Sequence, residues 1–160
     1  MEGECEKAFL TALKESPALI TPGKITVLNV LTEEISKSRL ISLSPGTTVV
    51  FVFDTDIEIT EKLKLNISRI ENYFDKSRLI FLPQVRNLED ELVRCTDISR
   101  VTELTKSPSK SDFKSDFCRM TNCRAVLTRH HLDVLKLWTV NPPVPFTFLP
   151  RNSDRIKNKR

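Results

Sequence analysis

The chain has 160 residues and a mass of 18.4 kDa, a length that encloses one hydrophobic core. Apolar residues make up 39% and charged residues 29%, and no apolar run approaches the roughly 20 residues of a membrane helix, so neither a membrane-spanning nor a disordered chain fits. Of 25 bases against 21 acids, the last ten residues, RNSDRIKNKR, hold five and one, so the +4 charge is a property of the tail and residues 1–150 are balanced. The tail reads as a frayed, solvated end or as a source of a few phosphate contacts. The opening MEGECEKAFLTALKE carries acids where a secretion leader needs bases and an apolar core, which makes a cytoplasmic protein the expectation.

Cys5, Ala8, Phe9, Ala12 and Leu13 recur at three- and four-residue intervals and predict a helix over 4–15, ended by Ser16 and Pro17. After Pro22-Gly23, the branched run 24–30 predicts a strand. Thr32, followed by Glu33 and Glu34, reads as the start of a helix to about Leu43. Pro45-Gly46 breaks the chain, and TTVVFVF over 47–53 reads as a strand buried on both faces. A helix begun at Thr60 places Leu63, Ile67, Ile70 and Phe74 on one side, and 77–82 supplies the next strand.

Alternating helices and strands imply an α/β fold: a parallel sheet of about three to four strands sandwiched by helices, with a helical C-terminal subregion. Asn87 begins a short acidic helix to about Arg94, and 97–105, 111–119, 123–130 and 132–138 each offer one or two helical turns. NPPVPFTFLP reads as an extended strap laying Phe146, Phe148 and Leu149 on the body. The expected organisation is an α/β core over 1–84, a helical subregion packed on it over 85–140, and a Pro-rich strap with a basic tail over 141–160.

Cysteines at 5, 95, 118 and 123 and the adjacent His130 and His131 lack zinc-ligand spacing, so the thiols read as small buried hydrophobes. His130, His131 and Trp138 read as a helix end and a core anchor. Asn66-Ile67-Ser68 matches a glycosylation acceptor, a pattern common by chance and set aside.

Acids gather where a parallel sheet places its functional edge. Asp54-Thr55-Asp56-Ile57-Glu58 follows the most hydrophobic strand, and aspartates two apart point the same way if the strand continues, offering hard oxygen ligands for Mg²⁺ or Mn²⁺. The competing reading is a solvated Asp-rich turn. Glu2-Gly3-Glu4-Cys5-Glu6 has the form of a strand-to-helix turn in which Gly permits a tight bend; the competing reading is a solvated acidic helix start. Glu89 or Glu91 would complete a metal shell or merely complement a helix dipole. Lys106, Lys110 and Lys114 would track a phosphate backbone or belong to an ordinary solvated loop.

EGECEKAFLTAL together with VVFVFDTDIE, spanning residues 2 to about 82, resembles the Toprim domain, the catalytic module of topoisomerases, bacterial primases and OLD-type and related small nucleases. The resemblance implies Glu2 as general acid or base, Asp54 and Asp56 as holders of a divalent Mg²⁺ or Mn²⁺, and Glu58 as a further ligand. Glu6, Glu89 and Glu91 would lend support, and Lys110 and Lys114 would contact nucleic acid. The expected activity is metal-dependent phosphodiester cleavage of DNA or RNA in a defence or repair system, with an ATPase or other protein as partner. Topoisomerisation needs a mobile tyrosine, and Tyr73, the only one, lies within a predicted amphipathic helix. Priming needs further domains.

Two departures stand out. The family's first strand, which precedes the Glu-Gly turn, is missing, so a chain extended by one strand at its N-terminus is expected to be the more stable and active form. The DxD segment is reduced to DTDIE. Two alternatives remain open: a non-catalytic Toprim-like module that binds nucleic acid or protein, and a small phosphotransfer domain using Asp54, which would want a lysine that Pro83-Gln84-Val85-Arg86 does not supply.

Overall fold

The computed structural model describes residues 3–15 and 17–158. Its centre is a parallel pair of strands, β1 (Val49–Asp54) and β2 (Leu79–Gln84), in register from Val49 opposite Leu79 to Asp54 opposite Gln84. Around them lie α1 (Glu4–Lys14), α2 (Lys37–Ile41), α3 (Glu61–Glu71), α4 (Leu88–Cys95), α5 (Thr102–Thr105), α6 (Lys110–Arg119) and α7 (Cys123–Arg129). The protein is therefore α/β, with two sheet strands among the described residues where the sequence predicts three to four. The residues expected to form another strand, 24–30, make no ladder.

The pleat sorts side chains into two apolar layers. Ile80 and Leu82, with Val50 and Val52 at the margin, join α1, α4, α6 and α7 around Phe9, Phe113, Phe117 and Trp138. Phe51, Phe53, Leu79 and Phe81 face the other way, onto Leu63 and Ile70 of α3, Leu40 of α2 and Phe146. Phe51 and Phe81 stack across the ladder with centroids 5.4 Å apart. The 85–140 segments thus share the core layer of α1 rather than enclosing one of their own.

Several boundaries differ from those predicted, each for a local reason. The second helix begins at Lys37 instead of Thr32, because Ser36 caps it by accepting from Arg39 N–H. The preceding turn is held by Asn66, which is 0% exposed: its Oδ1 accepts from Ile35 N–H at 2.8 Å, and its Nδ2 donates to Glu33 O at 2.8 Å and Val30 O at 3.1 Å. Asn66 is a buried clamp, in keeping with setting aside its glycosylation match. Residues 132–138 form turns, not a helix. In the strap, Phe146 and Leu149 are buried, but Phe148 is exposed and lies against Lys64 Nζ, 5.1 Å from the ring centroid.

The tail is not frayed through Asn158. Lys157 bridges Ile20 antiparallel, Thr21 N–H donates to Ile156 O at 2.8 Å, and Asn158 N–H donates to Leu19 O at 2.9 Å. The Lys157 ammonium is satisfied by Asp154 and Leu135 O. Among the described residues no helix is long and apolar enough to cross a membrane.

Asn66→Ala deletes three hydrogen bonds of a buried side chain and takes that partner from Ile35 N–H, Glu33 O and Val30 O. A loss of about 2–4 kcal/mol in urea unfolding is expected.

Candidate functional site

The ladder's C-terminal end is where the sheet places its acids. Asp54 is the last residue of β1 and Gln84 the last of β2, paired in register, so their side chains fall on the same face as Val52 and Leu82, toward α1 and α4. Just beyond, Thr55 fastens the turn: its N–H donates to Gln84 O and Arg86 O, its hydroxyl donates to Gln84 O at 2.9 Å, and Arg86 N–H donates back to that hydroxyl at 3.1 Å. Arg86 adopts φ 67° in closing it.

Asp54 Oδ1 is buried and has no hydrogen-bond partner among the described residues, and neither amide atom of Gln84, 0% exposed, has one. Two unsatisfied polar side chains side by side are a cost the fold would ordinarily remove. Burial first, and then the carboxylates of Glu6, Asp56 and Glu89, raise the Asp54 pKa to about 8 against the partial relief of Lys114. Glu6, on the first turn of α1, is itself raised by burial, with Glu89 adding to the effect. Glu89, 6% exposed at the start of α4, pairs with Lys114 Nζ of α6 at 3.4 Å. Burial opposes the Lys114 charge, but Glu89 outweighs it and the ammonium's pKa is raised.

The site thus joins one strand end to three helices. Of the predicted residues, Glu6, Asp56, Glu89 and Lys114 all act electrostatically on Asp54, and Asp56 is exposed on the turn beyond the strand. Lys114 does so as the partner of Glu89. Glu2 lies outside the described residues. Glu58 is exposed on the turn, and Lys110 is exposed at the start of α6. Glu91 is withdrawn from the predicted metal shell: 1% exposed, its Oε1 accepts from Trp138 N–H and from Arg94, each at 2.5 Å. Residues two apart on a helix face different ways, so Glu89 and Glu91 cannot serve one centre.

Sequence reading missed Gln84; the one available signal was a polar residue ending the apolar run LIFLPQ. It also missed that Cys5 Sγ lies 3.1 Å from Cys118 Sγ just behind Glu6, and that His130 Nδ1 meets Asp97 Oδ1 at 2.9 Å on the surface. Burial pushes the Cys95 and Cys123 thiols up to about 12, consistent with inert core cysteines.

The donor set suits a hard divalent cation in kind, carboxylates around an unpaired buried oxygen. Among the described residues, however, no three His, Cys, Asp or Glu stand close enough to enclose one. Compared with known proteins, the chain matches no protein family, no curated protein and no solved structure.

Because its folded pKa lies above the ordinary 3.8, Asp54 keeps a proton that the unfolded chain releases. Its contribution to stability is full below about pH 4 and is lost as pH rises toward 8. Asp54→Asn removes that ionisation, so it should raise Tm by about 4–8 °C at pH 8 and leave it unchanged near pH 4, measured by calorimetry. A gain independent of pH would mean that Asp54 ionises freely.

Proposed function

We propose that the protein is a metal-dependent nuclease of Toprim type, cleaving phosphodiester bonds in DNA or RNA. The observation that carries the reading is the unpartnered, buried Asp54 Oδ1 at the C-terminal end of a parallel strand, ringed by acids that make its charge costly without a cation. The Toprim resemblance adds the order of the two motifs, and with it a larger sheet of three to four strands.

In this reading Asp54 and Asp56 hold Mg²⁺ or Mn²⁺. A divalent cation supplies Lewis-acid stabilisation of the phosphoryl and leaving oxygens. Gln84 offers its free amide to orient a phosphate oxygen beside Asp54. Glu89 fixes Lys114 at the rim, where the ammonium's remaining N–H donors meet the nucleic-acid backbone. Glu2 moves the proton. Burial and Glu89 keep Glu6 more basic than an ordinary carboxyl, so it supports the site by field rather than by ligation.

One observation favours a second reading, a non-catalytic module that binds nucleic acid or protein: the absence, among the described residues, of three metal-ligating side chains close together. Labelled single- and double-stranded DNA and RNA, incubated with Mg²⁺, Mn²⁺ or a chelator, separate the two. Cleavage is expected with either metal, abolished by chelator and lowered at least ~100-fold by Asp54→Ala. Mn²⁺ alone should raise the Tm of the unsubstituted protein and not that of Asp54→Ala. Retention of nucleic acid without cleavage or a metal-induced Tm shift would favour the binding module.

A further inference from the structure

Cys5, Cys95, Cys118 and Cys123 are all free thiols, and two of them meet. Cys5 lies on the first turn of α1 and Cys118 on the last turn of α6, 113 positions further along the chain, yet their Sγ atoms stand 3.1 Å apart. Cys5 Sγ also donates to Lys114 O at 3.5 Å. That carbonyl is the one an α-helix bonds to the N–H of residue 118, so Cys5 rests on the turn of α6 that carries its partner. Packing holds the pair in place: Cys5 and Phe9 of α1 share one buried layer with Phe113 and Phe117 of α6, and all three rings are fully buried.

The sulfurs of a disulfide lie about 2.05 Å apart, so closing this pair takes an approach of about 1 Å, within reach of small rotations of the two side chains. The thiols differ in access. Cys118 is half-buried, whereas Cys5 is 7% exposed. Burial first, then the Cys118 sulfur and the carboxylates of Glu6 and Glu89, hold the Cys5 thiol well above its ordinary pKa, so it stays protonated until its partner is activated. An oxidant from solution therefore meets Cys118, and Cys5 completes the bond.

We propose that Cys5 and Cys118 are a site of reversible oxidation, closed into a disulfide by a low-molecular-weight disulfide such as oxidised glutathione. The Cys118 sulfur, having given its proton to solvent, attacks one sulfur of the oxidant; the oxidant's S–S bond breaks, one glutathione leaves and takes a proton, and a mixed disulfide stays on Cys118. Cys5 Sγ then attacks Cys118 Sγ, the mixed bond breaks, and the Cys5 proton goes to the second departing glutathione. Two protein thiols are oxidised and one disulfide is reduced to two thiols. The new bond joins the helices that bring Glu6 and Lys114 to bear on Asp54, whether or not that site holds a metal. It also closes a long loop, the case in which a cross-link restricts the unfolded chain most.

Trypsin places the four cysteines in separate peptides, 1–7, 95–100, 115–119 and 120–124, so each pairing has its own mass. The folded 160-residue chain in millimolar oxidised glutathione should give the link between 1–7 and 115–119 at least ~10-fold above any other pairing, with Tm raised by about 5–15 °C, and dithiothreitol should reverse both. Cys118→Ser should form no link and take up no glutathione at Cys5, whereas Cys5→Ser should stop with one glutathione on Cys118. Absence of the link from the folded chain, its formation only in urea, or a predominant link through Cys95 or Cys123 would each overturn the proposal. All three are read on the unsubstituted chain, so the test stands even where a substitution impairs folding.

Discussion

The six-residue parallel ladder between β1 and β2 is the constraint on which the rest depends. It separates the two apolar layers, so every helix must choose a face, and it brings the ends of two strands, Asp54 and Gln84, to the same height. Parallel pairing is stable only when both faces are covered, and here α3 with Phe146 covers one while α1, α4, α6 and α7 cover the other. The Asp54–Gln84 end is also where the ladder's own side chains turn from apolar to polar. The site is a consequence of where the ladder stops.

Electrostatics at that end runs against the fold. Three other carboxylates act on Asp54, and a single ammonium, Lys114, already committed to Glu89, answers them. A cluster with more negative charge than its one partner can neutralise either takes protons or takes a cation. At neutral pH the first solution leaves a neutral carboxyl, donor as well as acceptor, beside the Gln84 amide. The second is what the proposed metal-dependent reading requires of the same carboxylate.

Much of this was legible because it is local. The period of α1, the Asn87 cap of α4, which accepts from Asp90 N–H, and the apolar run of β1 are written in neighbouring residues. The site was half legible: DTD at a strand end gave Asp54 and Asp56, but Glu89 and Glu91 looked equivalent until the packing of Trp138 took Glu91 away. Gln84 was illegible because its importance lies in having no partner, which no spacing encodes. Residues 24–30 have the composition of a strand but make no ladder, because a strand is also a set of hydrogen bonds, and these depend on a neighbour. The shift of the second helix start from Thr32 to Lys37 came from Asn66, more than 30 residues away, overriding a good local cap.

The free edge of β1 and the buried acid are connected. Between β1 and the segment 24–30 lies a gap of about 700 Å³. Thr55 N–H points to β2, so the main-chain groups of Asp54 point the other way, into that gap, while its carboxyl points toward α1, and whatever fills the gap removes water from the residue's second side. Desolvation is already the largest contribution raising its pKa. Filling the gap would therefore make the Asp54 charge harder to bear alone.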